Sequence, residues 1–223
     1  MKYYLYKLNT SKLNIVSMFL LVILFYITYL LMKENILSLF NNSIYITFLL
    51  MIPYLILHEL LHCISYVIHK ANFKNITFGI HLEKGILCCL CKQNISKKNI
   101  LISLLYPFIF MGVITYIIGI IFSNNILILL SIINISGCSG DLIMFFDLLK
   151  IKNFEYSEYD DPISFGLYSS DNLGNLKLFG LDYIKESTKL ERKDLKKITI
   201  SKSSIVFLIM FLILIILNIL LIK

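Results

Sequence analysis

Five long apolar stretches dominate the sequence and constrain what the chain can fold into. Each is long enough to cross the hydrocarbon core of a bilayer, which takes roughly 20 helical residues; they cover 13–32, 44–68, 100–122, 126–149 and 205–222. Hydrophobic residues make up 58% of the 223 residues and charged residues only 16%, against about 25% charged in typical soluble domains. We therefore expect an all-α polytopic membrane protein with about five transmembrane helices. A soluble globular enzyme and a disordered chain are both disfavoured.

The basic residues are distributed unevenly between the loops. If the N-terminus lies in the cytoplasm, 19 of the 21 lysines and arginines fall on the cytoplasmic side, and only Lys33 and Lys223 lie outside. This asymmetry follows the positive-inside rule and predicts that orientation. Topology then explains the net charge of +7, so the lipid bilayer is an expected partner and nucleic acid is not. We expect an integral protein of a bacterial cell membrane, with its first span retained and not cleaved as a signal peptide.

The spans divide the chain into four parts. We expect a cytoplasmic N-terminus at 1–12, a four-helix membrane core at 13–149, a cytoplasmic segment at 150–204 and a C-terminal transmembrane helix at 205–223. Within the core, apolar residues alternate with others from Ile76 to Leu82, and a second apolar run follows Lys84-Gly85. Period-two alternation around a glycine turn predicts a small cytoplasmic β-hairpin at 76–91.

The second apolar stretch contains His58-Glu59-Leu60-Leu61-His62, an H-E-x-x-H motif. Histidines four residues apart lie on one face of a helix, about 6 Å apart along its axis. Both imidazoles can therefore reach one Zn²⁺, and the adjacent Glu59 can act on the water that such a metal activates. Hydrogen bonding between helices is the alternative for either histidine alone, but an ionisable glutamate inside a span indicates function.

Asp141 is the strongest candidate for a third ligand. A hydrolytic zinc site usually takes three protein ligands, and neither Ser65 nor His69 stands at the spacing that a longer zinc motif needs. Asp141 is a charged residue inside the fourth stretch, where an ionisable group is costly unless it serves a function. Counted from the cytoplasmic ends of their spans, Asp141, His58 and His62 all lie roughly 10–15 Å deep. We expect these three side chains to meet around one Zn²⁺.

The residues around Asp141 have less specific interpretations. Small residues let transmembrane helices approach closely, and four of them precede Asp141: Ser136, Gly137, Ser139 and Gly140. Asn134 could orient a substrate or a ligand, and plain hydrogen bonding between helices is as good an account. Asp147 is expected at the membrane boundary. Pro53 and Pro107 are expected to kink the second and third spans and to open a cavity for water.

The five cysteines argue against a disulfide framework. Their number is odd and none lies on a predicted outer loop; they are Cys63, Cys88, Cys89, Cys91 and Cys138. The Cys88-Cys89-Leu90-Cys91 run could bind a metal, but it lacks a second pair of ligands. We expect small buried hydrophobic residues in a reducing compartment.

With HELLH in one span and a small-residue segment ending at Asp141 in a later one, the chain resembles the membrane-embedded zincin peptidases, the broad site-2-protease-like group. Within that group it most resembles a bacterial zincin peptidase family whose members are called metalloprotease family proteins. The resemblance covers about residues 50 to 170. Beside the hairpin, the shared features are Leu105-Tyr106-Pro107 and the later Asp161-Pro162 with Gly166. The resemblance implies a metalloprotease with His58, His62 and Asp141 on zinc and Glu59 as general base. In site-2 proteases proper a glycine follows the aspartate, whereas here Gly140 precedes Asp141.

These observations leave three hypotheses about function. The leading one is a zinc-dependent intramembrane metalloprotease that hydrolyses peptide bonds of membrane-associated proteins or peptides, with its active site toward the cytoplasmic side. An extended substrate could add as a strand to the hairpin edge at 76–82. The alternatives are a catalytically silent zinc-binding regulatory protein and a transporter that uses intramembrane charges. Intact Glu59 disfavours the silent protein, and the absence of inverted-repeat signals disfavours the transporter. Oligomeric state is not indicated.

Overall fold

The structure is a computed structural model, and it describes residues 2–32, 39, 43–81, 86–158, 163–174 and 176–187. The fifth predicted span, 205–222, lies outside the described residues. Six α-helices are present in this part of the chain, namely α1 (Thr10–Met32), α2 (Ser43–Ile68), α3 (Lys97–Pro107), α4 (Thr115–Ile121), α5 (Asn125–Gly137) and α6 (Ser139–Leu149). A π-helical segment, Phe108–Ile114, joins α3 to α4.

Three helices are long and apolar enough to cross a membrane: Thr10–Met32, Ile44–Ile68 and Lys97–Ile121. They coincide with the first three predicted spans, which are confirmed to that extent. Their outward faces carry large apolar side chains, such as Phe19 and Phe48, that are more than half exposed. Contiguous apolar surface of this kind is typical of a lipid-facing exterior.

The fourth predicted span is not one straight helix. Helices α5 and α6 meet at Cys138 with a bend of 44°, as in a broken span or a re-entrant segment. If the bent pair counts as one span, the described residues hold four candidate spans, and the expected five are not confirmed. The bend matters because Asp141 lies directly after it, in the first turn of α6.

The all-α class is not confirmed either, because the chain also forms a five-stranded sheet. Its strands are β1 (Lys2–Leu8), β4 (Ile95–Ser96), β5 (Glu155–Glu158), β6 (Ser164–Ser169) and β7 (Leu181–Ser187), in the order β4-β5-β6-β1-β7. All neighbouring strands are antiparallel. The predicted hairpin is confirmed as a separate two-stranded sheet, β2 (Ile76–His81) with β3 (Ile86–Cys91), in which Phe78 faces Cys89.

Strand β1 was not expected, since residues 1–12 were predicted only to be an N-terminal segment. Aromatic residues favour strands, and the Tyr4 and Tyr6 side chains are fully buried. Tyr6 donates its hydroxyl to the Leu173 carbonyl at 2.9 Å, and burial raises the pKa of Tyr6 to about 12. The strand therefore joins the first residues to a segment more than 150 positions away.

Asp147 anchors this sheet to the helices. Its carboxylate is 1% exposed and accepts the backbone amides of Phe179 at 2.9 Å and Gly180 at 2.7 Å. Lys150 donates to the same carboxylate at 2.6 Å. A side chain at Gly180 would overlap Ile143 of α6, so only glycine allows this close approach. Asp147, which we expected at the membrane boundary, is thus a buried connection between α6 and the segment before β7.

Candidate metal centre

Helix α2 brings the two histidines of the H-E-x-x-H motif together. His58 and His62 are one turn apart on the same face, and their ring centroids are 5.2 Å apart in an edge-on arrangement. Both side chains are turned inward, with 12% of the His58 side chain and 9% of the His62 side chain exposed. Two imidazoles at this spacing can bind one cation from the same side.

Asp141 reaches the same point from α6. Its Oδ2 lies 3.4 Å from Nε2 of His58 and 3.6 Å from Nε2 of His62. The three residues form a group whose ligand atoms all lie within 4.8 Å of one another. Two ligands of a tetrahedral Zn²⁺, each about 2.0–2.1 Å from the metal, are about 3.3–3.4 Å apart. The donor types and their separations therefore fit zinc.

A backbone carbonyl and a side-chain amide orient the two histidine rings. The Asn134 Nδ2 donates to the Pro107 carbonyl at 3.1 Å, which turns Asn134 Oδ1 toward His58 Nδ1, 2.9 Å away. His62 Nδ1 lies 3.0 Å from the Ser103 carbonyl. Because both partners are acceptors, each Nδ1 donates its hydrogen to its partner, and each Nε2 faces Asp141. Of the two roles considered for Asn134, the structure therefore supports orientation of a ligand.

Glu59 lies beside the group and is held by the hairpin. The backbone amide of Cys89 in β3 donates to Glu59 Oε2 at 2.9 Å. Glu59 is partly buried, like His58. Residues four apart share a face of α2, and Cys63, one turn beyond Glu59, is disulfide-bonded to the same Cys89. Strand β3 is thus joined to α2 by one covalent bond and one hydrogen bond next to the candidate metal ligands.

The disulfide contradicts the expectation that all five cysteines are reduced. Cys63 and Cys89 are 26 positions apart in the sequence, and their pairing follows from the packing of β3 on α2. Cys88, Cys91 and Cys138 are thiols. Neither an odd number of cysteines nor an assumed reducing compartment determines which cysteine side chains meet in the folded chain.

The small residues near Asp141 account for only part of the helix packing. A side chain at Gly137 would meet nothing within 4 Å, so Gly137 is not a contact point. The closest approach to α5 is made instead by Gly112 in the π-helical segment and Gly119 in α4, where an added Cβ would lie 2.7 Å from Ile135 and 2.8 Å from Ile128, respectively.

Other sequence-level candidates lie elsewhere. His69 Nδ1 bonds to the Ser65 carbonyl one turn back along α2, at 2.7 Å, so that nitrogen is engaged within its own helix. The groups that sequence reasoning missed are mostly main-chain atoms: the carbonyls of Ser103 and Pro107 and the amide of Cys89. Of these three groups, the sequence indicates only the Ser103 carbonyl, because Pro107 lacks the amide hydrogen that would bond to it in a regular helix.

Comparison with known proteins supports the same chemistry. Residues 51–155 match the model of a family described as "Putative zincin peptidase". This range contains α2 from residue 51 onward, the hairpin, α3 to α6 and all four residues of the candidate site. No curated protein and no solved structure gives a significant match. The matched part of the chain is thus similar to a zincin family, and the similarity supports assignment to the zinc metallopeptidases.

Proposed function

We propose that this protein is a zinc-dependent intramembrane metalloprotease that hydrolyses peptide bonds of membrane-associated proteins or peptides. The observation that carries the proposal is the meeting of His58, His62 and Asp141 within 4.8 Å, from two helices. Glu59 adjoins this group, so the geometry offers three ligands and one acid. This combination is the donor set of a catalytic zinc site that keeps one position open.

The protein residues would divide the reaction as follows. Bound zinc would supply a Lewis acid that polarises the scissile carbonyl and makes a water acidic. Glu59 would take a proton from that water at Oε1, since Oε2 accepts the Cys89 amide, and would pass the proton to the leaving amine. Asn134 and the Ser103 carbonyl would keep both imidazoles oriented with Nε2 toward the metal.

Location inside the membrane is supported by the helices that carry the site. His58, Glu59 and His62 lie on α2, an apolar helix of sufficient length to cross a bilayer. The Asp141 side chain is 20% exposed, so the group is sheltered but reachable. With the basic residues placed on the cytoplasmic side, the hairpin and the site would face the cytoplasm of a bacterial cell.

For substrate binding, we propose a mode other than strand addition at 76–82. The Cys89 amide points out of the β2–β3 ladder toward α2, so β3 lies between β2 and the site. A peptide added to the outer edge of β2 would be two strand spacings from β3, about 10 Å. We therefore favour direct entry of an extended segment beside Glu59 over pairing with β2.

The experiment that tests the proposal compares peptide cleavage by wild type and by Glu59→Gln, both purified and reconstituted into lipid vesicles of the same composition. General-base catalysis contributes about 10²–10⁴-fold to rate, so cleavage of a membrane peptide library should fall by that factor while zinc is retained. Glu155→Gln is the matched control, because Glu155 is an exposed glutamate on β5 that bonds to Asn94. Equal cleavage by wild type and Glu59→Gln would refute the assignment, and zinc binding without any cleavage would favour the silent regulatory protein.

A further inference from the structure

Pro107 determines which carbonyl is available to His62. In a regular α-helix the Ser103 carbonyl would accept the amide hydrogen of residue 107, but proline has none. The next amide, that of Phe108, bonds to the Leu105 carbonyl instead. The Ser103 carbonyl therefore lacks its regular amide partner at position 107, and His62 Nδ1 lies 3.0 Å from it.

Pro107 is also connected to His58, through a hydrogen bond between its own carbonyl and Asn134. That oxygen accepts Asn134 Nδ2 at 3.1 Å, and Asn134 in turn accepts the Nδ1 hydrogen of His58 at 2.9 Å. The chain changes from α-helical to π-helical bonding immediately after Pro107. π-Helical segments are frequent at functional sites.

We propose that Pro107 is a positioning residue for the metal centre, acting on His62 through the Ser103 carbonyl and on His58 through Asn134. Pro107 and both intermediaries are shielded from solvent: Ser103 is 0% and Asn134 5% exposed, and Pro107 is buried. Buried hydrogen bonds of this kind select the tautomer of a ligating histidine and raise its affinity for metal. The inference rests on the zinc site of the proposed function and adds a residue that does not touch the metal.

The test replaces Pro107 with alanine and measures Zn²⁺ affinity in the purified full chain by competition with a chelator. Alanine restores an amide hydrogen that can bond to the Ser103 carbonyl and so competes with His62. Loss of such a partner typically lowers metal affinity about 10- to 100-fold, and we expect a change of that size. The absorption spectrum of the Co²⁺-substituted protein should shift as well, since it reports the geometry of the ligands.

Pro53→Ala is the matched control. Pro53 is also a buried proline inside a membrane helix, but the carbonyl it leaves without an amide partner is that of Leu49, more than two turns from His58. Alanine is a better helix former than proline, so neither substitution should lower the thermal unfolding temperature. A purely structural role for Pro107 would change stability and leave metal affinity and the Co²⁺ spectrum as they are.

Asn134→Leu serves as a second variant, since it breaks the connection from Pro107 through Asn134 to His58 and leaves the Ser103 carbonyl bonded to His62. It should also weaken Zn²⁺ binding about tenfold or more. Zn²⁺ affinity and a Co²⁺ spectrum in Pro107→Ala that equal those of wild type and Pro53→Ala would overturn the inference while leaving the zinc site standing. A wild-type protein that binds no Zn²⁺ would overturn both the inference and the proposed function.

Discussion

The backbone amide of Cys89 donates a hydrogen bond to the carboxylate of Glu59 at 2.9 Å, which places strand β3 directly against the acid of the H-E-x-x-H motif. The same Cys89 is disulfide-bonded to Cys63, one turn from Glu59 along α2. The hairpin therefore belongs to the candidate site and is more than an extension of the helical part of the structure. A displacement of β3 would therefore alter the hydrogen bonding of the Glu59 carboxylate.

The first prediction concerns the disulfide between Cys63 and Cys89. Alkylation of the denatured, unreduced protein should modify three cysteines, namely Cys88, Cys91 and Cys138. After treatment with a dithiol reductant, all five should react. Mass spectrometry of the intact protein counts the added groups, and peptide mapping identifies them. Five modified cysteines before reduction would show that α2 and β3 are not covalently joined.

The second prediction concerns the anchor at Asp147. Asp147→Leu removes the acceptor of the Phe179 and Gly180 amides and of Lys150. A buried donor left without a partner costs about 1–3 kcal/mol, so we expect destabilisation of about 2–5 kcal/mol for the set. Thermal unfolding should shift downward, and trypsin should cut faster after the exposed Lys177.

Asp182→Leu is the control for that experiment. Its carboxylate accepts an exposed hydrogen bond from Asn9, at 2.9 Å, and an exposed hydrogen bond that water can replace contributes little to stability. If Asp147→Leu and Asp182→Leu unfolded at the same temperature and were cut at the same rate, the anchoring role of Asp147 would be wrong.

The third prediction compares two glycines close to the site. A Cβ at Gly112 would lie 2.7 Å from Ile135 Cγ1 and 3.6 Å from Asn134 Nδ2, whereas a Cβ at Gly137 would meet nothing within 4 Å. Gly112→Ala should therefore destabilise the protein by about 1–3 kcal/mol through overpacking. Gly137→Ala should be neutral or stabilising by up to about 1 kcal/mol, because alanine favours the helix. Thermal unfolding of the two variants measures the difference, and a larger loss in Gly137→Ala would contradict this packing.

The sequence predicted the parts of the structure that local patterns determine. Continuous apolar runs predict α1, α2 and the helix from Lys97 to Ile121 because a lipid-facing helix needs no polar face. The hairpin followed from period-two alternation. His58, His62 and Asp141 could be predicted to lie at the same depth in the membrane, because each helical residue adds a fixed rise along the helix axis.

Features that depend on contacts between distant segments could not be predicted. Strand β1 pairs with β6 and β7, and nothing within seven residues reports a partner so far along the chain. The bend at Cys138 lies between two Ser-Gly pairs, at 136–137 and 139–140. Such pairs favour a kink, but they do not determine whether the helix bends there or by how much. The Cys63–Cys89 bond and the amide on Glu59 both depend on where β3 packs. Pro107 deprives the Ser103 carbonyl of its regular amide partner, and the sequence shows this. That His62 bonds to this carbonyl depends on the packing of α2 on α3.

The most direct test of the central claim is the zinc content of the purified protein, measured by elemental analysis in wild type, Asp141→Ala and the control Asp171→Ala. The account predicts about one zinc per chain in wild type and in the control, since three protein ligands complete such a site. It predicts loss of most of that zinc in Asp141→Ala, because the carboxylate lies 3.4 and 3.6 Å from the two histidine nitrogens. Full zinc content in Asp141→Ala would contradict the claim that the two helices share one metal.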